Sequence, residues 1–296
     1  MADSFFDLGK RLPKIDGPTL ERHLVKNSEV FEKAYLPSSI LQASTPRDTL
    51  QFKDKTFKRM RFYETHFIRV VFTNCTFDEC LFLGAHFEDC AFYQCNFIRC
   101  NTNKFKLSRT YLDPRSFLKD IFDRRLYPNV GVDLFHTLLK NSVDESQPEF
   151  RDIAEYHFRL WQRYNRYGYW SAMKGIKRWG DLRFFAFWFW NATYQILFGY
   201  GVRTRNILLW TPVLCSVVWA YNYTHWAEYG IESSKLNTVP LIIKTAFFTM
   251  GNLSTFGTAE VTPSTSLGLI AVSWQVILGI TWIALSTAMI VKRFVR

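Results

Sequence analysis

Charge is scarce in the last third of this 296-residue sequence. From Asn206 onward there are five Lys/Arg and three Asp/Glu, whereas 32 and 23 precede that point. Of the formal excess of +11, +9 therefore sits ahead of the first apolar segment, where it suits the basic cytoplasmic side of a membrane protein as well as it would suit a nucleic-acid binder. Catalytic signatures are missing too: there is no phosphate-binding glycine loop, no HExxH and no nucleophile elbow. No catalytic residue is assigned, and an enzyme is not expected. Cysteine is sparse, and five of the six fall between Cys75 and Cys100 without a paired CxxC or a His cluster at metal-ligand spacing. The opening MADSFFDLGKRLPK has no apolar run between a basic head and a small-residue cleavage site. No secretory leader is expected, and the front of the chain is expected to stay in the cytoplasm.

What is present divides the chain. A hydrophobic content of 48% and an aromatic content of 18% exclude a disordered polypeptide. The mean hydropathy of −0.09 averages a polar front against an apolar end. Phenylalanine recurs every five residues at Phe52, Phe57, Phe62, Phe67, Phe72, Phe77, Phe82, Phe87, Phe92 and Phe97; Thr102 interrupts, and Leu107 and Leu112 resume the phase. Two residues ahead of this position stand Cys75, Cys80, Ala85, Cys90, Cys95 and Cys100. No α-helix or flat strand has that period. One bulky and one small apolar residue in every five is the requirement of a square solenoid with both pointing to the axis.

This pattern resembles the pentapeptide-repeat family, and the resemblance implies a right-handed quadrilateral β-helix over 52–112, about three coils rising roughly 14 Å. The cysteines become packing residues in a reducing compartment. His66 and His86, each just before a phenylalanine, are expected to face outward. Residues 52–112 carry ten Lys/Arg and six Asp/Glu, the wrong sign for a solenoid that mimics DNA. A scaffold or docking surface for an unknown cytoplasmic partner or ligand is expected, and no nucleic acid.

Residues 1–51 read as a lead and cap, and 113–180 as a helical connector, with Glu155, Arg159 and Arg163 at helical spacing. Across 181–205 aromatic residues from Phe184 to Phe198 are flanked by basic ones, the mark of an interfacial helix. Residues 206–296 hold two uncharged stretches, Ile207–Tyr223 and Leu267–Val291, each long enough to be a candidate span. Basic residues precede the first and follow the second, so both termini are expected in the cytoplasm. Between them, Val239–Leu253 reads as a short re-entrant helix.

The segment after it, Leu253-Ser254-Thr255-Phe256-Gly257-Thr258-Ala259-Glu260-Val261-Thr262-Pro263, is similar to LTTVGYGDITP, the pore signature of potassium channels. The chain as a whole thus resembles bacterial pentapeptide-repeat proteins fused to a two-transmembrane potassium-channel-like domain. That resemblance implies an all-α pore with a re-entrant pore helix, a homotetramer, and a bacterial inner-membrane location. Thr255, Phe256, Gly257, Thr258 and Ala259 take the five filter positions and Glu260 the mouth, with backbone carbonyls replacing the shell of a permeant K+. Thr258 stands for the usual Tyr and Ala259 for the second Gly, where a positive φ costs a side chain roughly a kcal/mol or more. The outermost potassium site is thereby altered, and both a potassium-selective channel and a non-selective one that passes Na+ beside K+ stay open. No cofactor is implied. Gln275, Gly279, Ile283, Ser286 and Thr287 on the last helix are the candidate pore-lining or hinge residues. No helix carries the regularly spaced arginines of a voltage sensor. The alternative is a non-conducting membrane-anchored scaffold or docking protein.

Overall fold

A computed structural model describes residues 12–43, 48–119, 127–172, 182–231, 239–254 and 262–294. The chain divides into two compact units, 1–189 and 190–296.

The first unit is a coil of short parallel strands with a period of twenty residues. The strand Thr56–Lys58 pairs with Thr76–Asp78, which pairs with Asn96–Ile98. His66–Ile68 stacks in the same way on His86–Glu88 and Lys106–Ser108, and Leu50–Lys53 on Val70–Thr73 and Ala91–Tyr93. The fourth side is held only by isolated bridges joining Ala34, Arg61, Leu81 and Asn101. Four sides of five residues close one coil, and that is why the phenylalanines recur every five. Each ring lies on the one twenty residues earlier, with centroids such as Phe67–Phe87 at 4.4 Å and Phe57–Phe77 at 4.9 Å and nearly parallel planes. Neighbouring rings within a coil meet edge to face, as Phe57 does Phe62 at 6.2 Å, the geometry ring quadrupoles favour.

The coil begins well before Phe52. Val30 pairs with Phe57, Leu41 with Phe67, and Tyr35 packs on Phe62 at 6.1 Å. The offsets here are 27 and 26 residues rather than twenty, so the five-residue rhythm is lost although the column continues. The helix α1 (Gly17–Lys26) adds Leu20 and Leu24 to this core. Asp16 caps its first turn through Thr19, and Lys55 Nζ donates to the Leu24 carbonyl at 2.6 Å at its end.

The turns repeat as strictly as the rings. From Asp54 to Arg109 every fifth residue has a positive φ near 50°, and within that run only Gly84 is a glycine. Such a backbone costs a side chain about 1 kcal/mol. From Asp54 to Asp89 it persists because each of these N–H groups is used by the next coil: Arg59 N donates to the Asp78 carbonyl at 2.8 Å and Glu79 N to the Ile98 carbonyl at 2.9 Å. Their side chains form columns of alternating charge. Glu32, Arg59, Glu79 and Arg99 alternate down one corner at 3.4, 2.8 and 3.3 Å, and Arg109 reaches Glu88 at 2.7 Å beside a second corner. The hydrogen bond from Arg59 holds the Glu79 carboxylate below its usual range, and that from Arg109 does the same for Glu88 and Asp89. Because the folded values are depressed, this contribution is complete above the ordinary carboxylate range and fades as pH falls through the lowered ones.

The small column does more than fill space. Cys75, Cys80, Cys90, Cys95 and Cys100 are buried and free of disulfides. Each donates its S–H to the carbonyl of the phenylalanine 23 residues earlier, at 3.2 Å for Cys80 to Phe57 and Cys100 to Phe77. Thr110 Oγ1 makes the same bond to Phe87 at 3.2 Å. Burial pushes the Cys90 thiol up to about 11, so it stays a donor. At the Thr102 interruption the two columns exchange sizes. Thr102 occupies the large position and Phe105 the small one, both buried, on the side where Ala85 rather than cysteine stands one coil earlier. His66 and His86 lie on the outer side, stacked at 4.5 Å, with His66 Nε2 3.1 Å from Glu88.

The last coil is closed by helices. Phe117 stacks on Phe97 at 4.4 Å. From α2 (Pro128–Asp144), Asp133 accepts from Lys104 N at 2.8 Å, and Asn141 pairs with both the N–H and the carbonyl of Thr110. These bonds occupy backbone groups that would otherwise template another strand. The helix α3 (Pro148–Ala172) packs on α2 where Gly131 faces Trp161; a Cβ there would lie 2.2 Å from the indole. The expected helical spacing is realised, with Arg159 Nη2 2.8 Å from Glu155.

The second unit is helical. It takes in most of α4 (Leu182–Phe198), which carries the boundary between the units, then α5 (Thr204–Thr224), α6 (Leu241–Ser254) and α7 (Ser266–Phe294). Among the described residues one helix, over Ser266–Val291, is long and apolar enough to cross a membrane.

Phe77→Ala should destabilise the β-helix by about 3–5 kcal/mol, against about 1 kcal/mol for Cys80→Ala, which loses one weak hydrogen bond. Denaturant titration followed by circular dichroism measures both. Gly131→Ala should loosen the α2–α3 hairpin by about 1–3 kcal/mol, read as faster hydrogen exchange confined to those helices.

Candidate functional site

Thr255, Phe256, Gly257, Thr258, Ala259 and Glu260 lie outside the described residues. The elements on either side of them are defined. The helix α6 is fourteen residues, about 21 Å at the α-helical rise, and ends at Ser254. After the filter-like segment the chain is fastened to the turn that follows α5. Ser264 N donates to the Tyr229 carbonyl at 3.0 Å, Ser264 Oγ to Gly230 at 2.6 Å, and Thr265 Oγ1 to Glu228 at 2.7 Å. Gly230 sits there at φ +60°, where a Cβ would meet Ser264 Oγ at 2.4 Å. Thr265 then caps α7 through Gly268 N.

The interior of this unit holds a polar network beside small apolar clusters. Asn222 of α5 and Gln275 of α7 form a reciprocal amide pair, Gln275 Nε2 to Asn222 Oδ1 at 2.7 Å and Asn222 Nδ2 to Gln275 Oε1 at 3.1 Å. Asn222 Nδ2 also donates to Thr249 Oγ1 at 2.8 Å, Tyr229 OH to Asn222 Oδ1 at 2.6 Å, and Asn252 Nδ2 to Gln275 Oε1 at 3.1 Å. All five residues are buried. The outside is the reverse: Leu208 is 74% exposed, Val217 62%, Phe247 62%, Leu267 71% and Trp274 68%. Water is a poor solvent for such a surface, and apolar patches of this extent mark a membrane or partner contact.

The candidate residues of α7 do not share one environment. Gln275 is buried in the amide pair. Gly279 marks the closest approach to α6, where a Cβ would lie 2.2 Å from the Leu253 carbonyl oxygen, so it packs helices together whatever it does as a hinge. Ile283 and Thr287 are exposed, and the Ser286 hydroxyl is shielded, with no partner among the described residues. Nearer the end of α7, Trp282 Nε1 donates to Thr211 Oγ1 at 3.1 Å, and Met289 joins Phe198 of α4 and Ile207 of α5 in a small apolar cluster.

Sequence reasoning missed Asn222, Tyr229, Thr249 and Asn252. The available signal was the spacing of Thr245, Thr249 and Asn252, which puts three polar groups on one side of an otherwise apolar helix.

No protein-family model matches the chain, and no curated protein is similar enough to count as a relative. The coarse reading holds: a pentapeptide-repeat-like coil of stacked parallel strands, followed by helices of which one, among the described residues, is long and apolar enough to cross a membrane.

Gly279→Val should disrupt the second unit, because backbone rather than a movable side chain occupies the space, whereas Ile283→Val should be nearly silent. Thermal unfolding in detergent, followed by tryptophan fluorescence, should show a drop for the first corresponding to about 1–3 kcal/mol.

Proposed function

We propose that the chain is one subunit of a tetrameric, passive cation channel of the two-transmembrane potassium-channel type, in a bacterial inner membrane with both termini cytoplasmic. The observation that carries this reading is the place of LSTFGTAEVTP: it begins in the last turn of a short helix and is followed directly by the helix that, among the described residues, is both long and apolar enough to cross a membrane. A backbone can leave helical form at membrane depth only where protein or a water-filled path surrounds it. Polar residues inside and aliphatic ones outside agree with a lipid surround.

In this reading α5, about 31 Å long at its 21 residues, is the outer span, α6 the pore helix and α7 the inner span. The aromatic helix α4, with Trp188, Phe189 and Trp190 exposed, lies at the interface. Four copies supply the ring of carbonyls that one strand cannot. Thr255 and Gly257 keep the inner half of a potassium filter. Thr258 and Ala259 alter the outer half, so K+ and Na+ both pass. The β-helix assembles the pore or gates it by docking a cytoplasmic partner, with its outer columns of charge as the recognition surface.

Proteoliposomes loaded with K+ test the reading. Protein should collapse a potassium gradient, and Gly257→Leu, which blocks the backbone turn a filter needs, should abolish the flux without changing the amount of inserted tetramer. Equal behaviour of both proteins in flux and in cellular effect would favour the non-conducting scaffold.

A further inference from the structure

The amide pair of Asn222 and Gln275 is an odd choice for simple cohesion. Hydrogen bonds between helices in lipid contribute modestly, because the separated helices also find partners. Well-packed aliphatic side chains would join α5 to α7 equally well. What an amide pair adds is direction: two antiparallel N–H···O bonds fix the angle and height of one helix on the other. Here the pair is extended to a third helix at one point. Gln275 Oε1 accepts from Asn252 at 3.1 Å while accepting from Asn222 at 3.1 Å, and Asn252 stands in the last turn of α6, two residues before its end. Thr249, one turn earlier, is tied to Asn222 at 2.8 Å. Below this level Gly279 lets the Leu253 carbonyl approach α7 so closely that a Cβ cannot fit. The carboxyl end of α6 is thus held from two sides, by a polar clamp and by a backbone contact, immediately before Thr255.

We infer that Gln275 is a positioning residue of the pore: its amide clamps the end of α6 against α5 and α7, and ion permeation depends on that clamp. The inference rests on the channel reading above. Gln275 touches no permeant ion in this role; it acts through Asn252 and the helix end. The amide is needed because position 275 must accept two N–H groups on one atom and donate to Asn222 Oδ1 with the other. A protonated carboxylic acid has the same shape and also offers one acceptor and one donor. An ionised one has no donor and places its charge against the Asn222 oxygen.

Gln275→Glu in nanodiscs and bilayers supplies the test, with Gln275→Leu beside it and wild type at every pH. Hydrogen exchange of the amides at 250–254 and single-channel conductance are followed from pH ~6 to ~10, across the range in which a buried carboxyl ionises. At the acid end Gln275→Glu should match wild type in both readouts. Toward the alkaline end its α6 amides should exchange about tenfold faster and its conductance or K+/Na+ preference should change, with exchange in the first half of α5 unaltered. Gln275→Leu should show the altered values at every pH. A Gln275→Glu profile parallel to wild type in exchange and in conductance overturns the inference, as does conductance that changes with no change in exchange at 250–254. Failure of Gln275→Leu to assemble leaves the pH profile of Gln275→Glu to decide. Wild type that conducts nothing overturns the channel reading instead, and exchange at 250–254 then judges the clamp alone.

Discussion

From Phe72 to Phe97 each phenylalanine of the repeat lies on the ring twenty residues before it, and the rest of that unit follows from this stacking. A twenty-residue coil with four sides leaves five residues per side. One carries the ring, one must be small enough to sit beside it, and one must turn the corner with a positive φ. The remaining two point outward and are free to be polar. The corner conformation is unfavourable for any residue but glycine, yet Arg59 and Glu79 adopt it because the next coil accepts their N–H groups and the coils above and below supply an opposite charge. Cysteine suits the small position for two reasons at once. Its volume fits between rings, and its thiol gives the phenylalanine carbonyl of the previous coil a second hydrogen.

The second unit inverts this arrangement. In the β-helix, rings and thiols are inside and charge is outside. In α5, α6 and α7, a buried set of amides and hydroxyls lies inside beside a few apolar residues such as Phe248 and Met289, while most of the leucine, valine, isoleucine and tryptophan is outside. The first pattern is the response of a chain to water. In the channel reading proposed above, the second is its response to a surround as apolar as the side chains themselves, where hydrophobic burial cannot hold helices together and close backbone approach and interhelical hydrogen bonds must. Gly279 against Leu253 and Asn222 against Gln275 are one instance of each.

How much of this the sequence disclosed depended on whether a period survived. The rings from Phe52 to Phe97 were legible because nothing interrupts them. Val30, Tyr35 and Leu41 belong to the same columns but were hidden, since the longer offsets to Phe57 and Phe67 break the count. The exchange of Thr102 and Phe105 looked like a lapse in the repeat and is a compensated swap, visible only once both are seen buried. The cysteines were legible as small residues, not as donors, because a carbonyl 23 residues away is a fact of the coil. In the second unit the short helix before Thr255 was legible from its apolar run. The clamp was not, because Asn222, Asn252 and Gln275 come from three helices whose relative rotation no local pattern encodes. The likeness of Thr255–Ala259 to a filter was carried by residue types alone.

The claim on which the account turns is that residues 190–296 pass cations. The reversal potential of current through the purified protein in a planar bilayer, under a KCl gradient, addresses it without reference to gating partner or selectivity among cations. The account predicts a reversal displaced toward the potassium equilibrium potential. A reversal displaced toward that of chloride, or a silent bilayer with verified inserted tetramer, would contradict it.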